Sequence, residues 1–359
     1  MTHPRIYLDH AATTPVLAEA RVAMVEALDH WANPSSPHAE GRAARAVLEE
    51  ARSDIAEALG WRHDVIFTSG ASEAVEMVAA RARVAGRVVG ASEHAIVPHA
   101  MGPEATVLPV DTHGLIRLDA LDEALAAGPA LAAIQQVNNE TGVVQPLEEI
   151  AARVRAAGSL LLADCAQSAG KMPLPDADFI AVSAHKLGGP PGIGALLVRD
   201  LGTLEPSGGQ EKGYRRGTQD APAAAGFAAA LAGGAFRNAM PRLAELRRRL
   251  DEGVGATGSV VIAEEAPRIA NIGAIAMPGA DQASLLVQFD LAGFAVSAGS
   301  ACSSGKMKES AVLRAMGADP AIASSFLRVS FGPDTSEADV DAFLAQWTRI
   351  AGRRATRAA

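Results

Sequence analysis

Short apolar runs alternate with amphipathic helical patterns along much of this chain, and that alternation constrains its fold more than any other feature. The runs fall at 65–68, 87–91, 105–109, 131–137, 159–163, 179–183 and 195–198, with helical patterns such as 43–59, 118–127 and 147–157 before or between them. Within 43–59, Ala44, Val47, Leu48, Ala51 and Ile55 recur at the spacing of one helix face. Runs this short and this apolar fit strands buried on both faces. The expected fold is therefore α/β, with a mainly parallel seven-stranded sheet covered by helices.

Such a sheet binds ligands at the carboxyl ends of its strands. Four polar clusters fall there: Ser92-Glu93-His94, Asn138-Asn139-Glu140-Thr141-Gly142, Asp164-Cys165-Ala166-Gln167-Ser168 and Ser183-Ala184-His185-Lys186. Lys186 stands between an apolar run and the turn Gly188-Gly189-Pro190-Pro191-Gly192, which forbids a helix. Held at a crevice and partly desolvated, its amine is acidified and able to form a Schiff base; an ordinary loop lysine fits the same position. Asp164 ends Leu160-Leu161-Leu162-Ala163, where an unpaired carboxylate is expensive, so a cationic partner is expected. Lys186 and a protonated pyridine nitrogen both answer that need. His94 offers either a flat ring that stacks and carries protons, or a satisfied interior histidine. Ser69-Gly70-Ala71-Ser72 leads from a strand into a helix, which suits a bound phosphate or simple capping by Ser72. This turn has neither G-x-G-x-x-G nor G-x-x-x-x-G-K-[ST], so a dinucleotide fold and an NTPase are unsupported.

The 359 residues are 49% hydrophobic with a net charge of -9, enough for a large core and ill suited to nucleic acid or anionic membrane as main partner. The two cysteines, Cys165 and Cys302, supply no metal-ligand spacing and no disulfide framework, which fits a cytoplasmic setting. Residues 1–15 are polar and no apolar run spans a bilayer. The stretch 221–235, rich in Ala and Gly, reads as a helix packed tightly against another element. Cys165 reads as an inert small hydrophobe. Cys302, set among Gly299, Ser300, Ser303, Ser304 and Gly305, reads as a reactive thiol on a swinging loop.

Beyond Thr218 the pattern changes to a charged helix at 243–254, strand-like 268–277, 295–297 and 326–331, and helices at 312–316 and 338–350. The expected division is a large domain, 14–236, and a smaller α+β domain made of 1–13 and 237–359. Arg349, Arg353, Arg354 and Arg357 read as a solvated helix end whose charges complement the dipole.

In order along the chain, Y-L-D-H-A-A-T-T-P, N-P-S-S-x-H, F-T-S-G-A-S-E-A, S-E-H, N-N-E-T-G-V-V-Q-P, D-x-A-Q-S-x-G-K, S-x-H-K-x-x-G-P-x-G-I-G, R-R-G-T and G-S-A-C-S-S resemble the cysteine desulfurases. These are class V members of the fold type I pyridoxal phosphate enzymes, and G-S-A-C-S-S resembles the branch with the longer cysteine loop. The resemblance implies pyridoxal 5'-phosphate as cofactor, with Lys186 as its Schiff-base lysine, Asp164 at its pyridine nitrogen, His94 stacked on its ring and Gln167 at its phenolic oxygen. It implies a phosphate cradle of Ala71, Ser72, Ser183 and His185, completed by Thr218 from the other subunit of a homodimer. Asn139 and Arg328 match the groups that hold the substrate carboxylate. L-cysteine would become L-alanine, and a persulfide on Cys302 would pass to a sulfur-acceptor protein, an iron–sulfur scaffold being one candidate. Relatives with a scaffold-binding tail continue further past the last helix than this chain does, and Cys165 stands where relatives carry Ala or Thr. An aminotransferase or selenocysteine lyase of the same class, and a catalytically silent sulfur-relay subunit, are the alternatives.

Overall fold

The computed structural model of the chain describes residues 5–30, 32–299 and 310–358. Strand β1 (Ile6–Tyr7) and helices α1 (Ala18–Asp29) and α2 (Ala39–Ala58) precede the alternating region. That region runs β2 (Asp64–Thr68), α3 (Ala71–Arg81), β3 (Gly86–Gly90), α4 (Ile96–Met101), β4 (Thr106–Leu108), α5 (Leu118–Ala126), β5 (Ala130–Gln135), α6 (Leu147–Ala156), β6 (Leu160–Asp164), β7 (Phe179–Ser183) and β8 (Gly194–Val198). Each apolar run read from the sequence forms one of these strands, and they join in a seven-stranded sheet of order β2-β8-β7-β6-β5-β3-β4.

From β7 to β4 the sheet is parallel, while β8 runs antiparallel to both β7 and β2. The link from Ser183 to Gly194 is too short to hold a crossover helix, so the chain can only return antiparallel. In the parallel part Gln135 is level with Asp164, and Asp164 with Ala181, so the carboxyl ends of β5, β6 and β7 finish at one edge. Every residue of β5, β7 and β8 is buried, which is why these strands read as continuous apolar runs without alternation.

Next come α7 (Ala221–Ala232) and α8 (Ala235–Gly255). The small residues of α7 let α1 approach closely: a Cβ on Gly226 would lie 2.5 Å from Met24 Cγ. Helix α8 begins well before 243, with Pro241 inside it, which is why its first turns read as non-helical. The remaining elements are β9 (Val260–Val261), β10 (Ile272–Ala276), α9 (Gln282–Leu291), β11 (Phe294–Ala295), α10 (Ala311–Ala315), α11 (Pro320–Ala323), β12 (Phe326–Ser330) and α12 (Glu337–Ala358). β10 lies antiparallel between β12 and β9, and β1 pairs in parallel with β11, so the amino terminus joins the carboxyl-terminal part of the chain. Phe289 of α9 stacks on Phe343 of α12 with ring centroids 4.7 Å apart. The sequence did not announce α9, because its apolar residues point several ways: Phe289 is buried while Val287 and Leu291 are exposed. Among the described residues no helix is long and apolar enough to cross a membrane and no cluster could hold a metal ion.

Candidate active site

The level ends of β5, β6 and β7 open into a cavity of about 460 Å³, within the usual size for small-molecule sites. Its walls include Ala71, Ser72, His94, Asn139, Asp164, Gln167, Ser183, His185, Lys186 and Arg328. Ten of the twelve residues singled out from the sequence thus meet in one place. Thr218 is exposed on the segment before α7 and does not line this cavity, and Cys302 lies outside the described residues.

Lys186 follows β7 through a single 3₁₀ turn, Ala184–Lys186. Its Nζ donates to the carbonyls of Ala11 at 2.6 Å and Ala12 at 2.9 Å. Gln167 Nε2 donates to the same Ala11 carbonyl at 2.8 Å, and His185 Nδ1 lies 3.1 Å from Thr13 Oγ1. The turn Asp9–Thr14 therefore braces three of the side chains, a role that the sequence reading left unassigned. The available signal was the density of polar and small residues directly after β1.

Asp164 closes β6, and its Oδ1 accepts from the Ala166 amide at 2.9 Å. Burial raises its carboxyl pKa, while the Ala166 amide, His94 and Lys186 pull it back. Burial lowers the His94 pKa; Asp164 opposes this and Lys186 adds to it, so the ring is neutral near pH 7. His185 is pushed down to about 4 by burial and by Lys186 and Lys171. Beside them Glu93 is raised well above the carboxylate range by burial and by Asp164; its Oε1 accepts from the Gln135 amide at 3.0 Å.

Across the cavity stands Arg328 of β12, only 3% exposed. One Nη donates to the Asn139 carbonyl and the other to Asp9 Oδ1, both at 2.8 Å, while Nε has no partner among the described residues. A guanidinium fixed this way keeps donor capacity for a planar carboxylate. At the far end α3 starts at Ala71, presenting the unpaired amides and positive dipole end that favour an anion. Close packing shapes that end: a Cβ on Gly194 would sit 2.3 Å from the Val182 carbonyl and 2.7 Å from Gly70 Cα, so only glycine fits.

The residues present fit a planar, phosphorylated pyridine aldehyde. Asp164 answers a ring cation, Lys186 an aldehyde, the α3 amino terminus a phosphate, and the buried Gln167 Oε1 has no partner of its own among the described residues.

Comparison with known proteins agrees with this geometry. The sequence profile of the aminotransferase class-V family matches residues 6–343. An IscS-like cysteine desulfurase from Mycobacterium tuberculosis is 38% identical, with 94% of each chain covered. A cysteine desulfurase from Cereibacter sphaeroides is 36% identical over 95% of this chain and 94% of its own. Among solved structures, a NifS-like protein from Rickettsia africae superposes with a TM-score of 0.90 at 30% identity, covering 96% of this chain and 99% of its own.

Proposed function

The chain belongs to the aminotransferase class-V family, and from that premise we propose that it is a cysteine desulfurase, converting L-cysteine to L-alanine and taking the sulfur onto its own thiol. The observation that carries the reading is the single cavity in which a strand-end lysine, a strand-end aspartate and a neutral histidine face a fixed arginine. Pyridoxal 5'-phosphate, when bound there, supplies an electron sink for a carbanion at the substrate α-carbon.

Lys186 would hold the aldehyde, Asp164 the ring nitrogen, His94 the ring face and Gln167 the phenolic oxygen. Ala71, Ser72, Ser183 and His185 would cradle the phosphate, with Thr218 of a second copy completing it in a homodimer. Arg328 and Asn139 orient the substrate carboxylate. Lys186 Nζ then moves the proton at the substrate α-carbon, and the neutral His94 ring is able to accept or return one beside it. Cys302 attacks the substrate sulfur as a thiolate: the new S–S bond forms as the Cβ–S bond breaks, and the carbon end is protonated to give alanine. The persulfide on Cys302 passes to a sulfur-acceptor protein, an iron–sulfur scaffold among the candidates, and the expected setting is the cytoplasm.

The division into a large body, 14–236, and a smaller one, 1–13 with 237–359, belongs to the same proposal. It is supported by the β1–β11 pairing and by the separate β12-β10-β9 sheet. The test incubates the purified protein with L-cysteine, follows alanine by chromatography and looks by mass spectrometry for one added sulfur on the Cys302 peptide. Alanine together with that sulfur is the expected result. Bound cofactor with neither product would move the assignment to an aminotransferase or lyase of the same family, and Cys302→Ala would then retain full activity.

A further inference from the structure

The segment 207–219 holds Glu211 and Lys212 at φ 48° and 58°. Residues with a Cβ avoid this left-handed region, so such backbone persists only where its surroundings over-determine it. The Glu211 side chain is what fixes it. Wholly buried, it accepts from Arg52 Nη1 at 2.8 Å, Arg52 Nη2 at 3.0 Å, the Phe67 amide at 2.7 Å and Gln219 Nε2 at 3.0 Å. Arg52 belongs to α2 and also donates to the Val65 carbonyl at 2.7 Å. Phe67 belongs to the edge strand β2, which runs directly into Gly70, Ala71 and Ser72. A second tie, Arg215 Nε to Glu73 Oε1 at 2.8 Å, fastens the segment to the first turn of α3.

Both fastenings grip the elements that form the phosphate end of the cavity. Between them and α7 lies Thr218, exposed, next to the Gln219 that bonds Glu211. A segment secured at such depth, with Thr218 exposed on it, is suited to present that residue to something outside its own chain. We propose that Glu211 is a positioning residue: through Arg52, Phe67 and Gln219 it holds 207–219 so that Thr218 reaches the phosphate end of the cavity in a second copy of the chain. Cofactor phosphate affinity in one subunit is then set by a carboxylate buried in the other. This rests on the homodimeric, pyridoxal phosphate-dependent reading above.

The test frees the holoenzyme of cofactor and titrates it with pyridoxal 5'-phosphate and, separately, with pyridoxal, which lacks the phosphate. The set is wild type, Glu211→Asp, Gln219→Met, Thr218→Val and the Gln219→Met/Thr218→Val double variant, each checked for dimer by light scattering. Each single variant is expected to weaken pyridoxal phosphate by about tenfold, the scale of one charge-assisted hydrogen bond, and pyridoxal by less than about twofold. The double variant is expected to bind no more weakly than Thr218→Val, because Gln219 and Glu211 act only through Thr218. If Glu211→Asp fails to fold, Gln219→Met, which removes a single donor, carries the comparison. Equal weakening of both ligands, or single effects that multiply in the double variant, overturns the proposal and leaves Glu211 a purely structural clamp. A Thr218→Val dimer with unchanged phosphate affinity also overturns it while leaving the desulfurase reading intact. A wild type that binds neither ligand, or that is monomeric, sinks the underlying reading and this proposal with it.

Discussion

The two buried polar networks, one around Glu211 and one around Asp164, are wired in opposite ways. Each Glu211 oxygen accepts two hydrogen bonds, and Arg52 spends its donors on Glu211, Glu49 and the Val65 carbonyl. Around Asp164, by contrast, Glu93 Oε2, Gln167 Oε1 and Lys171 Nζ are buried without a hydrogen-bond partner among the described residues, against Gln219 Oε1 alone in the Glu211 network. A buried unpaired group costs about 1–3 kcal/mol, so a network that only supports a fold closes the bonds of its charged groups, whereas one that awaits a ligand keeps some open. Charge follows the same division. Arg52 offsets the burial of Glu211 and holds its carboxyl low, while near Asp164 burial drives acids up and bases down.

The sharpest way to break this comparison is to delete one charge from each network. Lys186→Ala is expected to lower L-cysteine turnover by about 10⁴-fold, the upper range for a lost acid–base group, with the melting temperature of the cofactor-free protein unchanged. Steady-state alanine formation and a thermal melt read the two quantities. Glu211→Ala should do the reverse to stability, removing about 3–5 kcal/mol by leaving the Arg52 cation buried with its main partner gone. Because the folded-state pKa of Glu211 lies below its ordinary value of 4.5, its contribution is fully present above about that pH and drains away as pH falls through the lowered value. Denaturation of wild type and variant from neutral pH downward should show their gap closing only in that acid range. A Lys186→Ala protein as destabilised as Glu211→Ala would mean that the two networks do not differ in kind.

How far each network was legible in the sequence follows from how its parts are spaced. Lys186, Asp164 and His94 could be placed because each ends or follows an apolar run, and parallel pairing brings the ends of such runs together whatever the intervening length. The closure between Arg52 and Glu211 spans 159 residues, and that between Asp9 and Arg328 spans 319. Neither pair falls on a repeating pattern. Arg52 lies beside Leu48 and Ile55 on the buried side of α2, but nothing in its spacing names the distant carboxylate it meets there. The antiparallel return of β8 was hidden for a related reason: its apolar run is as continuous as those of its parallel neighbours, because burial on both faces, and not strand direction, sets that pattern.

The smallest expected effect lies at the edge of the open network. Lys171 is 4% exposed, with Nζ 4.7 Å from the centre of the Phe236 ring. Burial, and then the nearby Lys186 charge, lower its pKa from 10.5 to about 7. A lysine with a depressed folded-state value binds fewer protons folded than unfolded between those limits, so wild-type stability should rise as pH climbs from about 7 towards 10.5. The penalty is complete below that window and absent above it. Lys171→Met keeps the length of the side chain and sets a sulfur against Phe236, so it should stabilise the protein by about 1–3 kcal/mol at neutral pH. That gain should shrink steadily through the alkaline window in chemical denaturation series. A gain that stayed constant with pH would show that packing, and not an amine left without a hydrogen-bond partner, separates this network from the one around Glu211.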